Sequence, residues 1–316
     1  MFRIGGHGGL PISSLVVFDG GRHIATLRRG ENKVQVWSME LVEETDSSPI
    51  EHSSGIIISA MAASKDGRYI VTGDGCGNVM IWNTTHPSKK VCEFVAARAR
   101  ITTLDVSPDS WRVASGSQDG TVTIWSIRDG ERLVGPLGDR ASPVSSVKFS
   151  PAGGRIASAY HLVGGDTCSV RIWHSYTGAQ LKSIPMDLTT WSLAWSADSQ
   201  KLFIGRSYGS IKCYDITARS PPREFRYPSG KPITTLCLSQ NGQFLVSFSS
   251  EHSTIWDIWD IPSSIPLRSC REAYIGGISA DDVCLISVGK KHEVTIRSLS
   301  PATDKAHGFH VSMQSK

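Results

Sequence analysis

Short runs in which apolar and polar residues alternate, most of them closing on an aromatic, recur along the chain. VQVW ends at Trp37, VMIW at Trp82, VTIW at Trp125 and VRIW at Trp173; IKCY at Tyr214, STIW at Trp256 and VTIR at Arg297 continue the series. The intervals between these closing residues are 45, 43, 48, 41, 42 and 41. Alternation with period two is the pattern of a half-buried strand, and a repeat of about 40 to 45 residues is the length of a four-stranded propeller blade. A second marker keeps step with the first. Asp19-Gly20, Asp66-Gly67, Asp109-Ser110, Gly153-Gly154, Asp198-Ser199, Asn241-Gly242 and Asp281-Asp282 are dipeptides that tolerate the backbone of a tight hairpin turn. From the second turn residue to the closing residue the chain runs 15 residues in copies 2, 3, 5 and 7, 14 in copy 6, 17 in copy 1 and 19 in copy 4. Two markers held in register define a sevenfold internal repeat.

Each copy reads as strand a before the turn (LVVF, TLDVS, SVKFS, SLAWS, TLCLS), strand b after it (HIATL, YIVTG, RVASG, RIASA, KLFIG, FLVSF), strand c ending at the anchor, and a looser strand d. Strand d candidates are Val91 to Phe94, Leu181 to Ile184, Glu224 to Arg226 and Leu267 to Cys270. No segment longer than ten residues carries a helical period. The expected fold is all-β, a seven-bladed β-propeller of four-stranded antiparallel blades, with residues 1–316 forming a single domain. Either Phe2 to Ile4 or His307 to Met313 is placed to supply the outer strand of the last blade and remove an unpaired edge.

Composition narrows the chemistry. At 316 residues, 40% hydrophobic and 20% charged, the chain has the make-up of a globular protein with a large core. A net charge of +4 is far below the usual nucleic-acid footprint, so no nucleic-acid partner is expected. Seven cysteines (Cys76, Cys92, Cys168, Cys213, Cys237, Cys270, Cys284) form no C-x-x-C pair, which argues against a zinc site or a disulfide framework and for reduced thiols in a cytoplasmic or nuclear setting. No signal peptide or transmembrane span is read in the sequence.

The residues resemble the WD40 family over nearly the whole chain, most clearly in ITTLDVSPDSWRVASGSQDGTVTIWS, residues 101–126. The resemblance implies a hydrogen-bonded tetrad in each blade, made of a loop His, a strand-b Ser or Thr, a tight-turn Asp and the strand-c Trp. Carried over, it assigns Ser115, Asp119 and Trp125 in blade 3, with Ala97 or Arg98 near the His position. It assigns His7, Thr26 and Trp37 in blade 1, with Glu31 or Asn32 in the turn, and Thr72 and Trp82 in blade 2, with Cys76 at the Asp position. The other blades depart further: Tyr214 and Arg297 replace Trp, and the terminal Trp-Asp pair survives as Trp256-Asp257 or Trp259-Asp260.

Catalytic motifs are absent: there is no G-x-S-x-G, H-E-x-x-H, P-loop or G-x-G-x-x-G. No catalytic residue, metal ligand or cofactor is therefore assigned, and a small-molecule substrate is not expected. The expected function is a non-catalytic scaffold for one or more protein partners. Two resemblances offer alternatives. Leu27-Arg28-Arg29-Gly30 is similar to the arginine motif of phosphoinositide-binding propellers, although here it falls in the b to c turn of copy 1, where solvated arginines are the preferred reading. Trp125-Ser126-Ile127-Arg128 is similar to the W-D-x-R motif of cullin-4-type ubiquitin ligase receptors but lacks the Asp; Trp256-Asp257-Ile258-Trp259 lacks the Arg.

In a WD40-like blade the d to a and b to c loops gather on one face. That rule places Arg98, Arg100, Arg206 and Lys290 there, with Arg28, Arg29, Arg140, Lys231 and Lys291, opposed by Glu31, Asp74, Asp119, Asp139, Asp166, Asp187 and Glu251. Tyr160, Trp191, Tyr208 and Tyr274 add aromatic surface. Arginines and large aromatics are the usual anchors of a binding surface, so Arg98, Arg100, Tyr160, Trp191, Arg206, Tyr208 and Lys290 form the candidate partner site. Packing between blades 4 and 5 is the alternative for Trp191. The extended stretch His161 to Asp166 in blade 4 is a candidate specificity loop. Trp195 is expected in the core and Trp111 on the opposite face.

Overall fold

A computed structural model describes residues 2–4, 11–38, 43–44, 50–52, 55–84, 90–161, 168–218, 220–226, 230–239, 241–242, 244–249, 252–257, 268–271, 273–278, 284–289, 294–298 and 311–312. Their strands form seven sheets in chain order. Blade 1 holds Ile12–Phe18, His23–Arg28, Lys33–Ser38 and Glu43–Glu44; blade 2 holds Ile58–Ala63, Tyr69–Asp74, Asn78–Asn83 and Lys90–Val95. Blade 3 holds Ile101–Val106, Arg112–Ser117, Val122–Ser126 and Arg132–Leu137; blade 4 holds Val144–Phe149, Arg155–Tyr160, Cys168–His174 and Gln180–Met186. Blade 5 holds Thr190–Trp195, Lys201–Arg206, Ser210–Asp215 and Arg223–Arg226; blade 6 holds Ile233–Leu238, Phe244–Ser249, His252–Asp257 and Arg268–Arg271. Blade 7 holds Ala273–Ile278, Cys284–Gly289 and Val294–Ser298.

The outer strand of blade 7 comes from the other end of the chain. Phe2–Ile4 pairs antiparallel with Val294–Ile296, and Val311–Ser312 adds a fifth, parallel strand beyond it. Both segments proposed for closure thus take part, the N-terminal one directly. Blade 1 also gains an extra pairing, Ile50–Glu51 against Lys33–Val34, so two of the seven sheets exceed four strands.

Sandwiching between neighbours explains the burial pattern. Strand b of blade 3, RVASGS, is buried at every position, and that of blade 2, YIVTGD, at all but the first. A strand covered on both faces reads as a continuous run of apolar and small residues. Strand d lies at the circumference and alternates, as in KVCEFV of blade 2. The hydrophobic clusters lie between blades: Ala114, Val122 and Ile124 pack with Val144, Val147, Phe149 and Ile156 across blades 3 and 4. Ile286, Val288 and Val294 of blade 7 pack with Ile12, Leu15 and Ile24 of blade 1, which closes the ring. Each such fully buried aliphatic side chain contributes about 1.5–3 kcal/mol.

Strand a carries a register shift at its second residue in all seven blades. The residue at the bulge is Ser13, Ser59, Thr102, Ser145, Trp191, Thr234 and Tyr274 in turn. Where it is a hydroxyl it can staple neighbouring blades. Ser59 Oγ donates to the Ile101 carbonyl at 2.5 Å and Thr102 Oγ1 to the Val144 carbonyl at 2.6 Å.

Candidate partner-binding face

In blades 1 to 4 the fourth residue of strand b is tied to the Trp near the end of strand c. In blade 3, Trp125 Nε1 donates to Ser115 Oγ at 2.9 Å, and in blade 1 Trp37 Nε1 donates to Thr26 Oγ1 at 2.9 Å. His7 lies outside the described residues. Asp119 folds back on its own turn, accepting from the Thr121 amide and hydroxyl at 2.9 and 2.6 Å. Partial burial pushes the Asp119 carboxyl up, and hydrogen bonds from Thr121, Ser117 and the Arg98 amide outweigh it, leaving the group below its ordinary range.

Blade 2 holds a fuller network than its sequence indicated. Trp82 Nε1 donates to Thr72 Oγ1 at 3.0 Å, and His52 Nε2 meets the same hydroxyl at 2.6 Å. His52 Nδ1 stands 3.8 Å from Asp74 Oδ2, both side chains fully buried. Asp74, not Cys76, supplies the carboxylate. It ends strand b and accepts from the Cys76 and Asn78 amides at 2.8 and 2.9 Å, while the Cys76 side chain is exposed. Burial pulls the His52 imidazole below its ordinary value, the nearby Asp74 opposing. Blade 4 is also less degenerate than expected: Trp173 Nε1 donates to Ser158 Oγ at 2.8 Å, and Ser158 in turn donates to the Tyr160 hydroxyl at 3.3 Å.

Two residues assigned to the partner surface are inside the protein. Tyr160 is 2% exposed and Arg206 is 1% exposed. Each is the last residue of its strand b, the position of Asp74 and Ser117, where the side chain turns inward between blades rather than out into the loop. Tyr160 packs in the core shared by blades 3 and 4, with the Arg171 guanidinium 4.9 Å from its ring. A cleft of about 310 Å³ opens beside it, lined by Asp139, Ser142, Cys168, Ser169 and Arg171, with Asp139 and Arg171 paired to each other. Arg206 Nη1 donates to Asp187 Oδ1 at 2.6 Å and Nη2 to Glu224 Oε1 at 2.7 Å, so its charge is spent within blade 5.

The remaining assignments that fall on described residues, Arg98, Arg100, Trp191 and Tyr208, reach solvent. Arg98 and Arg100, in the loop entering blade 3, are exposed, and so is Arg140 in the loop entering blade 4. Trp191 is 40% exposed and Tyr208 is 70% exposed. Trp191 stands on the strand-a bulge of blade 5, donates through Nε1 to Ser207 Oγ at 3.2 Å, and meets the His161 ring edge-on at 5.0 Å. A bulge re-aims a side chain; Ser145 Oγ at the preceding bulge is buried and unpartnered, and in blade 5 Ser192, not the bulge residue, donates to the next blade, to the Ile233 carbonyl at 2.9 Å. Tyr208 sits in the adjoining b to c turn with φ of 59°. Lys290, Lys291, Asp166, Glu251, residues 162–166 of the long blade 4 loop and Trp259-Asp260 lie outside the described residues. Trp195 is buried, its Nε1 donating to the Lys148 carbonyl at 3.1 Å, and Trp111 is exposed on the opposite face, as expected. Arg28 closes strand b of blade 1 and Arg29 stands exposed in the following turn; Arg128 is exposed beside the Asp129 turn. Among the described residues no His, Cys, Asp and Glu cluster could hold a metal ion, and no helix is long and apolar enough to cross a membrane.

Seven sheets around a ring, Trp to Ser or Thr braces within the blades, and a loop face bearing arginines and aromatics define a WD40-type β-propeller. The sequence profile described as "Nucleolar protein 10-like, N-terminal domain", a β-propeller, matches residues 22–199, more than half of the chain. The chain belongs to that family. It is also similar to protein groucho of Drosophila melanogaster, at 22% identity over 84% of this chain and 35% of that one. It matches the small ribosomal subunit protein RACK1y of Oryza sativa subsp. japonica at 28% over 47% of this chain and 44% of that one. The guanine nucleotide-binding protein subunit beta of Arabidopsis thaliana matches at 25% over 66% of this chain and 57% of that one. The chain thus spans between about a third and somewhat over half of these relatives' lengths.

Among solved structures, a chain of a mitotic checkpoint complex superposes with a TM-score of 0.79 at 17% identity, covering 94% of this chain and 93% of that one. A chain of Kuenenia stuttgartiensis hydrazine synthase gives a TM-score of 0.78 at 11% identity, covering 93% and 99%. These likenesses establish the fold alone, which hosts unrelated activities.

Proposed function

We propose that residues 1–316 form one propeller domain that acts as a non-catalytic protein-interaction scaffold, in a cytoplasmic or nuclear setting, with its partner on the loop face. The observation that carries this reading is the pair Trp191 and Tyr208. Trp191 projects from the strand-a bulge and Tyr208 from the b to c turn of one blade, and they keep 40% and 70% of their surface in solvent, although the other tryptophans at the ends of strands a and c in blades 2 to 5 are buried. Large aromatics held out from a rigid scaffold form the anchor of an interface. The WD40-type relatives support the scaffold class. Affinity purification of the full chain and of a Trp191→Ala/Tyr208→Ala variant tests it. Loss of specific partners from the variant, with its thermal midpoint unchanged, is the expected result; equal recovery by both proteins overturns the assignment of the face.

A further inference from the structure

We infer that the loop face over blades 3 to 5 takes an extended acidic peptide segment, its carboxylates paired with Arg98, Arg100 and Arg140 and an apolar side chain packed on Trp191 and Tyr208. This rests on the loop face being the partner surface, and it adds the partner's chemistry. The described carboxylates of this face on blades 2 to 5 are already engaged. Asp74 is buried against its own turn and His52, Asp119 is bonded by Thr121, Asp139 is paired with Arg171, and Asp187 is paired with Arg206 and Lys212. Arg98, Arg100 and Arg140 are exposed and have no ion pair among the described residues. Three uncompensated guanidinium groups therefore stand in the loops entering blades 3 and 4, on the face that also carries the aromatic pair of blade 5, and guanidinium matches a carboxylate bidentately.

The presentation is fixed in advance. A Cβ at Gly77 would lie 2.2 Å from the Ala97 carbonyl oxygen, so only glycine lets the blade 2 turn lie against the loop that carries Arg98 and Arg100. Gly120 plays the same part for the next loop, where a Cβ would meet Arg140 Cα at 2.8 Å and the Ser142 carbonyl oxygen at 2.8 Å. The Gln118 amide and Ser117 Oγ both donate to the Arg100 carbonyl, at 2.9 and 3.2 Å. Five non-glycine residues have positive φ among the described residues. Asp19, Ser110 and Ser199 belong to a to b turns, and the other two are Arg140 at 61° and Tyr208 at 59°. Backbone strain of this kind collects where a side chain must be aimed.

The same arginines and aromatics resemble a platform for single-stranded nucleic acid, and the interspersed charges decide between the two. Asp139, directly before Arg140 in its loop, and Asp187, in the loop that leads to Trp191, remain 43% and 65% exposed in their side chains. A phosphate chain carries charge at every residue and meets them; a peptide carries carboxylates at chosen positions and avoids them. Three free arginines also neutralise few phosphates.

The test begins with random dodecapeptides displayed on phage and selected on the intact chain. Enriched peptides are then made with a fluorescein label and titrated against wild type, Arg98→Ala/Arg100→Ala/Arg140→Ala, Trp191→Ala/Tyr208→Ala and the opposite-face control Trp111→Ala/Tyr176→Ala, all checked for unchanged melting. Expected are peptides with Asp or Glu at two or more positions near an aromatic or aliphatic residue. Their affinity should fall about tenfold in the arginine variant, a difference that shrinks between roughly 50 mM and 500 mM salt, and should fall in the aromatic variant while the control binds as wild type. Peptides without acidic bias that need the aromatics but not the arginines overturn the acidic chemistry and leave the face assignment standing. Peptides indifferent to both variants, or no enrichment, overturn both. A labelled dodecauridylate that binds more tightly than any selected peptide, and is lost in the arginine variant, overturns the peptide in favour of nucleic acid.

Discussion

Blades 2 and 5 share a topology and solve the same burial problem with opposite charges. At the last residue of strand b, blade 2 has Asp74 and blade 5 has Arg206, both almost wholly buried. Around Asp74 the partners are donors, two backbone amides and the Asn78 side chain, with the buried His52 Nδ1 3.8 Å away. Around Arg206 they are the carboxylates Asp187 and Glu224. The strand-c anchor changes with it. Trp82 is tied to Thr72, whereas in blade 5 Tyr214 pairs across with Leu202, Ile204 takes the Thr72 position, and the Tyr214 hydroxyl donates to Met186 Sδ at 3.9 Å. The buried corner accepts either charge once it is countered, although His52 Nδ1 and Arg206 Nε are left without a hydrogen-bond partner. Blade 5, released from the tetrad, is also the blade that holds Trp191 and Tyr208 out to solvent.

The largest expected effect is in blade 5. Asp187→Asn with Glu224→Gln strips a buried guanidinium of both countercharges and should cost about 3 kcal/mol or more. Arg206→Met, which removes the buried charge itself, should cost less, because the two carboxylates are left partly in solvent. Urea unfolding of the two variants reads the order directly, and the reverse order would break the comparison. Next comes Thr72→Val in blade 2. It leaves Trp82 Nε1 and His52 Nε2 without their shared partner and should lower stability by about 2–3 kcal/mol. Ile204→Thr, the reciprocal change in blade 5, should give no gain, since no Trp or His stands ready to use the hydroxyl.

A smaller effect depends on pH. Burial lowers the His52 pKa below the unfolded value of 6.5, so between the two values the unfolded chain binds more protons. The stabilisation is therefore present above pH 6.5 and is lost as pH falls through the folded value. Thermal melting across this range should show that slope in wild type and a flatter one in His52→Gln. The smallest contrast is in thiol reactivity: burial pushes the Cys213 thiol of blade 5 up to about 11, while Cys76 of blade 2 is exposed. Iodoacetamide near neutral pH should label Cys76 first and Cys213 only on unfolding.

The repeat was legible because strand c closes on a large residue and the a to b turn demands Asp, Asn or Gly, and these two constraints act at fixed spacing. What stayed hidden is what spacing does not carry. His52 comes from a connection without a register of its own, so nothing in the sequence tied it to Thr72. Ser158 was missed because the long blade 4 loop stretches its distance from Trp173 to 15 residues, against 10 between Thr72 and Trp82. Tyr160 and Arg206 were assigned to the surface because strand ends and loops look alike in sequence. Alignment of the strand-b ends, Asp74, Ser117, Tyr160 and Arg206, carries the signal that they share one inward position. Trp191 had a comparable signal, standing at a bulge where five other blades have Ser or Thr.

The central claim is that blade 5 presents the partner anchor on the loop face. A photo-cross-linking residue placed at Tyr208, and separately at Trp111 on the opposite face, tests it in the cell. Discrete partner cross-links are expected from position 208 and none from 111, with the 208 adducts lost when Trp191 is changed to Ala. Partner cross-links from 111 with none from 208 would contradict it.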